Sequence, residues 1–199
     1  MKYILFIESI LELINHPHLF TASYDILQNN IAEIKTHIMS KITQLYNTFS
    51  FDNISATSGK LRTYKKFRKH FNVEQYLKIN DAPLAWRKLY CAFRISCHDL
   101  EIERGRYVHP KIPPEDRICL LCKNQPETEE HFLIYCSKFA NYRKDLYSKL
   151  SSIDPQFSQI PTDSRFEYMM TSENFEIIKT VMKYIYENYN RRKTFLKNL

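Results

Sequence analysis

Four residues of the kind that bind soft metal ions are grouped near the middle of this chain of 199 residues. They follow the spacing Cys-x2-Cys-x8-His-x4-Cys and are Cys119, Cys122, His131 and Cys136. Three thiolates and one imidazole at these spacings suit the tetrahedral coordination of zinc. The sequence therefore predicts one structural Zn2+, because four protein ligands leave no open position for a catalytic water. The first two thiols fit a tight knuckle in which Asn124 takes the left-handed conformation.

The second pair of ligands predicts an interrupted helix. Thr128 is a suitable N-cap three residues before His131. On an unbroken α-helix, His131 and Cys136 would lie roughly 140° apart around the axis, which is too far for one ion. We therefore expect this helix to end near Tyr135 and a new helix to be capped by Ser137.

The rest of the chain is typical of a helical protein. Hydrophobic residues make up 44% of it, and only two residues are glycine, which argues against a phosphate-binding glycine loop and against a turn-rich β fold. Apolar residues recur at helical spacing over residues 21–49, 61–71 and 173–196. We predict a mainly α fold, namely a helical bundle-like domain with a small treble- or knuckle-type CCHC zinc module. At most a short β-hairpin is expected, where residues 100–103 alternate before Gly105.

Polar and proline-rich stretches divide the chain into four predicted segments. They are an N-terminal helical segment (1–56), a basic helical region (57–111), the CCHC zinc-binding module (112–152) and a C-terminal helical tail (153–199). Pro83 predicts the first turn of a helix whose buried face includes Tyr90. We also expect Ile42 and Leu45 on a buried helical stripe, and Phe175 on the inner side of the last helix.

The net charge of +7 is unevenly distributed along the chain. Residues 60–111 carry thirteen Lys and Arg against five acidic residues, whereas residues 1–59 have a net charge of −2 and residues 112–199 of +1. An excess confined to one segment favours a surface that faces a polyanion over an ordinary solvated face.

These observations select the candidate contacts to nucleic acid. The cations predicted to bind backbone phosphates are Lys60, Arg62, Lys65, Lys66, Arg68, Lys69, Arg87, Lys88, Arg94, Arg104 and Arg106. Tyr64, Tyr76 and Tyr107 are candidates for stacking on bases, although core packing is expected for at least half of the three.

The N-terminus begins like a signal peptide, but Glu8 and Glu12 interrupt its apolar run, so an amphipathic helix is expected instead. No apolar run reaches the ~20 residues of a membrane span. The five cysteines are an odd number and favour metal binding over disulfides, with Cys91 and Cys97 expected to pack as small apolar residues. We therefore expect a soluble, intracellular protein, nuclear or cytoplasmic, that is not secreted and has no membrane partner.

Several stretches of the chain match a known family. Residues 58–64 resemble the region after the polymerase core in non-LTR (LINE-type) retrotransposon reverse transcriptases. Residues 94–107 are similar to that family's signature of Arg, His, Leu, Ile-Glu and Gly-Arg-Tyr, and residues 114–136 are similar to its zinc-binding element. The C-terminal stretch 166–174 also resembles the family, whereas Ser137 stands where the family often has proline.

The resemblance implies that the four Cys and His residues bind zinc, and that the chain binds RNA or DNA in the service of target-primed reverse transcription. It does not imply polymerase activity, because two-metal phosphoryl transfer needs closely placed carboxylates and the chain contains no Asp-Asp pair. We therefore predict a zinc-stabilised nucleic-acid-binding module that is not an enzyme. The alternatives are a zinc-stabilised protein-interaction module, with a protein partner, and a non-functional relic of a mobile element.

Overall fold

The computed structural model of the chain describes residues 31–56, 61–67 and 73–198. Within these residues the protein is mainly helical and has no β-strand, which confirms the predicted fold class at that level. The α-helices are α1 (Ile31–Ala56), α2 (Arg62–Phe67), α3 (Gln75–Lys78), α4 (Leu84–Arg94), α5 (Glu101–Arg104), α6 (Ala140–Ile153), α7 (Thr162–Thr171) and α8 (Phe175–Lys197). Shorter turns occupy Pro114–Asp116, His131–Tyr135, Ser137–Phe139 and Pro155–Gln159. The chain divides into two compact units, Met1–Thr57 and Ser58–Leu199.

In the first unit, the described residues form helix α1. This helix continues to Ala56, past the predicted end at residue 49. Ile42 and Leu45 were predicted to be buried, but both are exposed on α1. An amphipathic stripe specifies which side of a helix a second element can cover. Its residues become buried only where such an element packs against them. The amphipathic helix predicted at the N-terminus lies outside the described residues.

Helix α8 forms the centre of the second unit. It packs against α4, α6 and α7, and its inner face buries apolar residues over almost its whole length, among them Ile178, Met182 and Ile185. Asn174 caps its first turn by accepting hydrogen bonds from the backbone N–H groups of residues 176 and 177. Phe175, predicted on the inner side, is exposed, because it lies in the first turn, outside the stretch that α4 and α6 cover.

An aromatic cluster joins the predicted zinc module to the helices around α8. Phe132 lies 5.4 Å from Phe93 of α4 and 4.9 Å from Phe139, measured between ring centroids. Tyr189 of α8 meets Phe93 edge to face at 5.8 Å. Residues from the last three predicted segments therefore share one core.

Two local predictions have different outcomes. Pro83 precedes the first residue of α4, and Tyr90 on this helix is fully buried, as predicted. The alternation over residues 100–103 forms the helical turn α5 and no hairpin. The backbone N–H groups of Glu103 and Arg104 both donate to the Leu100 carbonyl, so that Leu100 and Ile102 are both buried.

No helix in the described part of the chain is both long enough and apolar enough to cross a bilayer.

Candidate metal centre

The first pair of cysteines lies on a tight loop closed by backbone hydrogen bonds. The Cys119 N–H donates to the Gln125 carbonyl at 3.0 Å, and the Lys123 N–H donates to the Cys119 carbonyl at 2.8 Å. The residue in the left-handed conformation is Lys123, with φ of 57°, and the prediction of Asn124 was wrong by one position. The turn closes one residue earlier than expected, directly after Cys122.

The second pair lies where a helix ends, as the ligand spacing predicted. The Thr128 hydroxyl accepts a hydrogen bond from the His131 N–H at 2.9 Å, and a single π-helical turn follows over His131–Tyr135. The Cys136 N–H donates to the His131 carbonyl at 2.7 Å, five residues back, and Cys136 itself has extended geometry. The wider π turn brings these two ligands to one side, and Ser137 begins the next turn.

The four side chains converge on one point. Their ligand atoms all lie within 4.8 Å of one another. Cys119 Sγ is 3.9 Å from Cys136 Sγ, and Cys122 Sγ is 3.3 Å from His131 Nε2. The edges of a tetrahedral zinc site with Zn–S near 2.3 Å are about 3.8 Å long, so these separations fit a single ion. The cluster could therefore hold a metal through Nε2 of the histidine, whereas neither Cys91 nor Cys97 belongs to it.

Two thiols of the cluster perturb each other's ionisation. The hydrogen bond between the two thiols raises the pKa of Cys119 to about 12 and lowers the pKa of Cys136. Metal binding replaces such shared protons, because the ligand form of cysteine is the thiolate. Arg143 supports this side of the site by donating to the Cys136 carbonyl at 2.6 Å.

A buried ion pair lies directly behind the thiols. The Glu127 carboxylate is 3.6 Å from Cys119 Sγ and forms a bidentate pair with Arg192 of α8, at 2.7 and 2.5 Å. It also accepts a hydrogen bond from the Glu101 N–H at 2.8 Å. Glu127 is 1% exposed and Arg192 is 2% exposed, so removal of Arg192 would leave the Glu127 carboxylate as an unpaired buried charge. Arg192 itself also lies 3.5 Å from the Glu101 carboxylate.

A second buried carboxylate ties the same segment to α2. Glu129 accepts from His98 Nε2 at 2.8 Å and from Arg62 at 2.5 Å. Burial opposes ionisation here, but the hydrogen bonds from His98 and Arg62 and the positive charge of Arg62 hold the pKa of the Glu129 carboxyl well below its usual range. Arg62 also pairs with Glu103 at 2.8 Å. We call the Glu127–Arg192 and Glu129–His98–Arg62–Glu103 contacts the inner ion pairs.

The predicted phosphate-binding cations have several different environments. Lys60, Arg68 and Lys69 lie outside the described residues. Lys66 is exposed and 3.5 Å from Glu130, and Lys88 is exposed on α4. Lys65 and Arg87 are half-buried, and Arg87 donates to the Ile79 carbonyl at 3.2 Å. Acids from residues 112–199 therefore offset part of the charge that the sequence assigns to residues 60–111.

The arginines between residues 94 and 106 also differ in exposure and in their partners. Arg94 is 2% exposed; it donates to the Met170 carbonyl and pairs with Glu74 at 3.0 Å, so its guanidinium serves the core and does not face solvent. Arg106 pairs with Glu103 at 3.0 Å and is half-buried. Arg104 is exposed and pairs with Glu101 at 2.9 Å.

The stretch that carries the family resemblance is used mainly for packing. Leu100 and Ile102 are buried, and His98 and Glu103 belong to the inner ion pairs. A Cβ on Gly105 would lie 2.7 Å from Cγ of Arg117. Packing and ion pairing within the protein therefore account for these residue types, and no bound ligand is needed to explain them.

Sequence reasoning missed the roles of Glu127, Glu129, His98 and Arg192. The available signal was two acidic residues flanking the helix cap Thr128, immediately before a metal ligand. Their partners are more than 30 residues away along the chain, so no spacing rule could pair them. Cys97, expected to pack as an apolar residue, is instead exposed.

Comparison of the chain with protein-family models, with curated proteins and with solved structures found no match.

Proposed function

We propose that the protein is a zinc-stabilised module that binds RNA or DNA, similar in kind to the region after the polymerase core of non-LTR retrotransposon reverse transcriptases. The metal is assigned as zinc because three thiolates and one imidazole are the donor set that zinc prefers in structural sites. The proposed role of the metal is structural, since four protein ligands complete a tetrahedral shell. The proposal assigns binding to the chain and assigns it no catalysis.

The position of the cluster supports this structural role. Its segment contributes Phe132 and Phe139 to the core and is connected to α2 and α8 by the inner ion pairs. Ligation would fix a stretch of the second unit that has little regular secondary structure, from Arg117 to Tyr135. The free energy of metal binding would then be folding free energy, on the order of 10 kcal/mol at neutral pH.

The observation that carries the nucleic-acid assignment is the concentration of positive charge in residues 60–111. Some of these cations have internal partners, but Lys66, Lys88, Arg104 and Lys111 keep exposed side chains. Exposed cations of this kind bind phosphates and release counterions, which makes affinity fall steeply with salt. We therefore propose that these exposed cations contact the nucleic-acid backbone.

A salt titration with a matched pair of variants tests the proposal. We expect binding of a fluorescently labelled single-stranded RNA, followed by anisotropy, to weaken with added salt, and the double variant K66E/K88E to bind more weakly with a shallower salt slope. The control is K144E/K149E, which makes the same change of charge at two exposed lysines of α6. Equal loss in both variants, or no binding of RNA or DNA at low salt, would reject the assignment.

Helix α1 favours a second candidate function, a protein-interaction module. Met39, Ile42 and Leu45 are exposed at a spacing of three residues on this helix. A row of exposed apolar side chains is typical of a surface that docks against another protein. A complex insensitive to salt and abolished by M39E/L45E would support this candidate over nucleic-acid binding.

A further inference from the structure

The loop over residues 106–111, here called the Tyr107 loop, is closed tightly at its base. The Ile112 N–H donates to the Gly105 carbonyl at 3.0 Å, which joins the residues on either side of the loop. The Tyr107 N–H donates to the Arg104 carbonyl at 3.0 Å, so the loop leaves helix α5 in a fixed direction. Its backbone is therefore anchored at both ends.

Arg117 holds the base of the loop through its guanidinium group. Its guanidinium donates to the Ile102 carbonyl at 2.6 Å and to the Ile112 carbonyl at 2.8 Å, and its stem lies against Gly105. Arg106 is held by Glu103 on the same side. Arg106 and Arg117 at the base of the loop are thus paired within the protein, and Tyr107 at its tip is presented to solvent.

The tip carries an aromatic ring that the fold does not bury. Tyr107 is 70% exposed, whereas Tyr76, another of the three candidate stacking tyrosines, is buried, and Tyr64 is half-buried. A tyrosine in such a position keeps a large apolar surface in water. The structure therefore selects Tyr107 among the three as the ring with a free face.

Two exposed cations flank this ring along the chain. Arg104 is exposed and pairs with Glu101 at 2.9 Å, and Lys111 is exposed at the other end of the loop. An exposed aromatic ring beside cations matches the chemistry of single-stranded nucleic acid, in which each nucleotide offers a planar base and an anionic phosphate. A protein pocket that accepts a tyrosine would not require the adjacent cations.

We infer that Tyr107 stacks on an unpaired base of single-stranded RNA or DNA, while Arg104 and Lys111 contact the neighbouring phosphates. This inference rests on the proposed nucleic-acid binding and makes it specific for single strands. In a duplex, both faces of each base are covered by neighbouring bases, so the ring would gain no contact there. The anchored base of the loop presents the ring with little loss of conformational entropy on binding.

The first experiment measures the affinity of the full chain for three probes of equal length: a single strand, its duplex, and a strand of abasic nucleotides. We expect Tyr107→Ala to weaken binding of the single strand about tenfold and Tyr107→Phe to leave it unchanged, because phenylalanine retains the ring. Neither variant should alter binding of the duplex or the abasic strand. Phe175→Ala, which removes an exposed ring at the start of α8, is the matched control.

The outcomes separate the two levels of the proposal. If the single strand binds in a salt-dependent manner and Tyr107→Ala has no effect, the stacking inference is wrong and the proposed function stands. If no probe binds, both are wrong. An equal loss on the abasic strand also overturns stacking, because that strand offers only phosphates. Parallel RNA and DNA probes of one sequence show which of the two strands the loop accepts.

A spectroscopic variant tests the contact directly. In Tyr107→Trp, we expect the added tryptophan fluorescence to be quenched by the single strand and to be unaffected by the abasic strand, as stacking requires. The wild-type protein, whose single tryptophan is the half-buried Trp86, provides the background signal. Equal quenching by both strands would contradict stacking.

Discussion

Two groups of basic residues from the same segment of the sequence have opposite environments. Arg62 and Arg94 face the interior, where Arg62 pairs with Glu103 and Glu129 and Arg94 pairs with Glu74. Arg104 and Lys111, a few residues further on, are exposed and lie close to Tyr107 in the sequence. The comparison shows that part of a local excess of positive charge is neutralised inside the fold and part lies exposed at the surface. Only the exposed part could contact the proposed polyanion.

The largest expected effect concerns the candidate metal centre, to which Arg62 is connected through Glu129. Removal of zinc by a chelator, or Cys122→Ser, should unfold residues 115–150 and greatly lower the melting temperature, since binding contributes on the order of 10 kcal/mol. Circular dichroism melts with and without chelator measure this. Cys97→Ser, at an exposed free thiol, is the control and should melt like the wild type. An unchanged melt after chelation would refute a structural metal.

The inner ion pairs should give the next largest effect. Arg192→Met leaves Glu127 as an unpaired buried carboxylate beside Cys119 and should lower the free energy of unfolding by about 3–5 kcal/mol. The neighbouring Lys193→Met removes a charge that is half in solvent and 4.0 Å from Asp99, so its effect should stay below about 1 kcal/mol. Urea denaturation of the two zinc-loaded variants makes the comparison. Similar losses in both would mean that burial of the pair is unimportant.

A smaller effect is expected at the base of the Tyr107 loop. A methyl group added in Gly105→Ala would lie 2.7 Å from Cγ of Arg117, whose guanidinium is held by two carbonyls. The clash should cost roughly 1–3 kcal/mol of stability. Val108→Ala, at the exposed tip of the same loop, should cost almost nothing. Thermal melts of both variants measure the contrast. A Gly105→Ala variant as stable as the wild type would show that the Arg117 side chain can shift at little cost.

The outward-facing cations should matter least for stability. The double variant R104Q/K111Q should stay within about 1 kcal/mol of the wild type in urea denaturation, because both side chains are exposed and the Arg104–Glu101 pair that is lost lies partly in solvent. The same variant should weaken binding of a single-stranded RNA and reduce its salt slope. Loss of stability without loss of binding would reverse the proposed division between the two groups.

Local features of the metal centre were readable from the sequence. The ligand spacing on its own required a helix break before Cys136, and the structure has the break there. Pro83 and the apolar repeat predicted α4 and its buried Tyr90 in the same way. Such features depend on a few neighbouring residues, whose geometry is fixed by bond rotation and helix pitch.

Long-range features could not be read. Whether Arg62 faces phosphate or Glu129 depends on a residue 67 positions away, and no local sequence pattern indicates that the two residues are in contact. The exposure of Ile42 and Leu45 depends on whether a second element covers them, which an amphipathic pattern does not specify. The left-handed position moved from Asn124 to Lys123 because the exact closure of a short turn outweighs residue preference.

The bidentate contact between Glu127 and Arg192 also bears on the order in which the protein is completed during synthesis. The four candidate metal ligands leave the ribosome before residue 192 has been translated. At that stage the carboxylate next to Cys119 still lacks its counter-charge, because 65 residues separate it from its partner. An ion bound to the unfinished chain would lie beside an unneutralised carboxylate, and only the docking of α8 supplies the arginine that neutralises and buries this group.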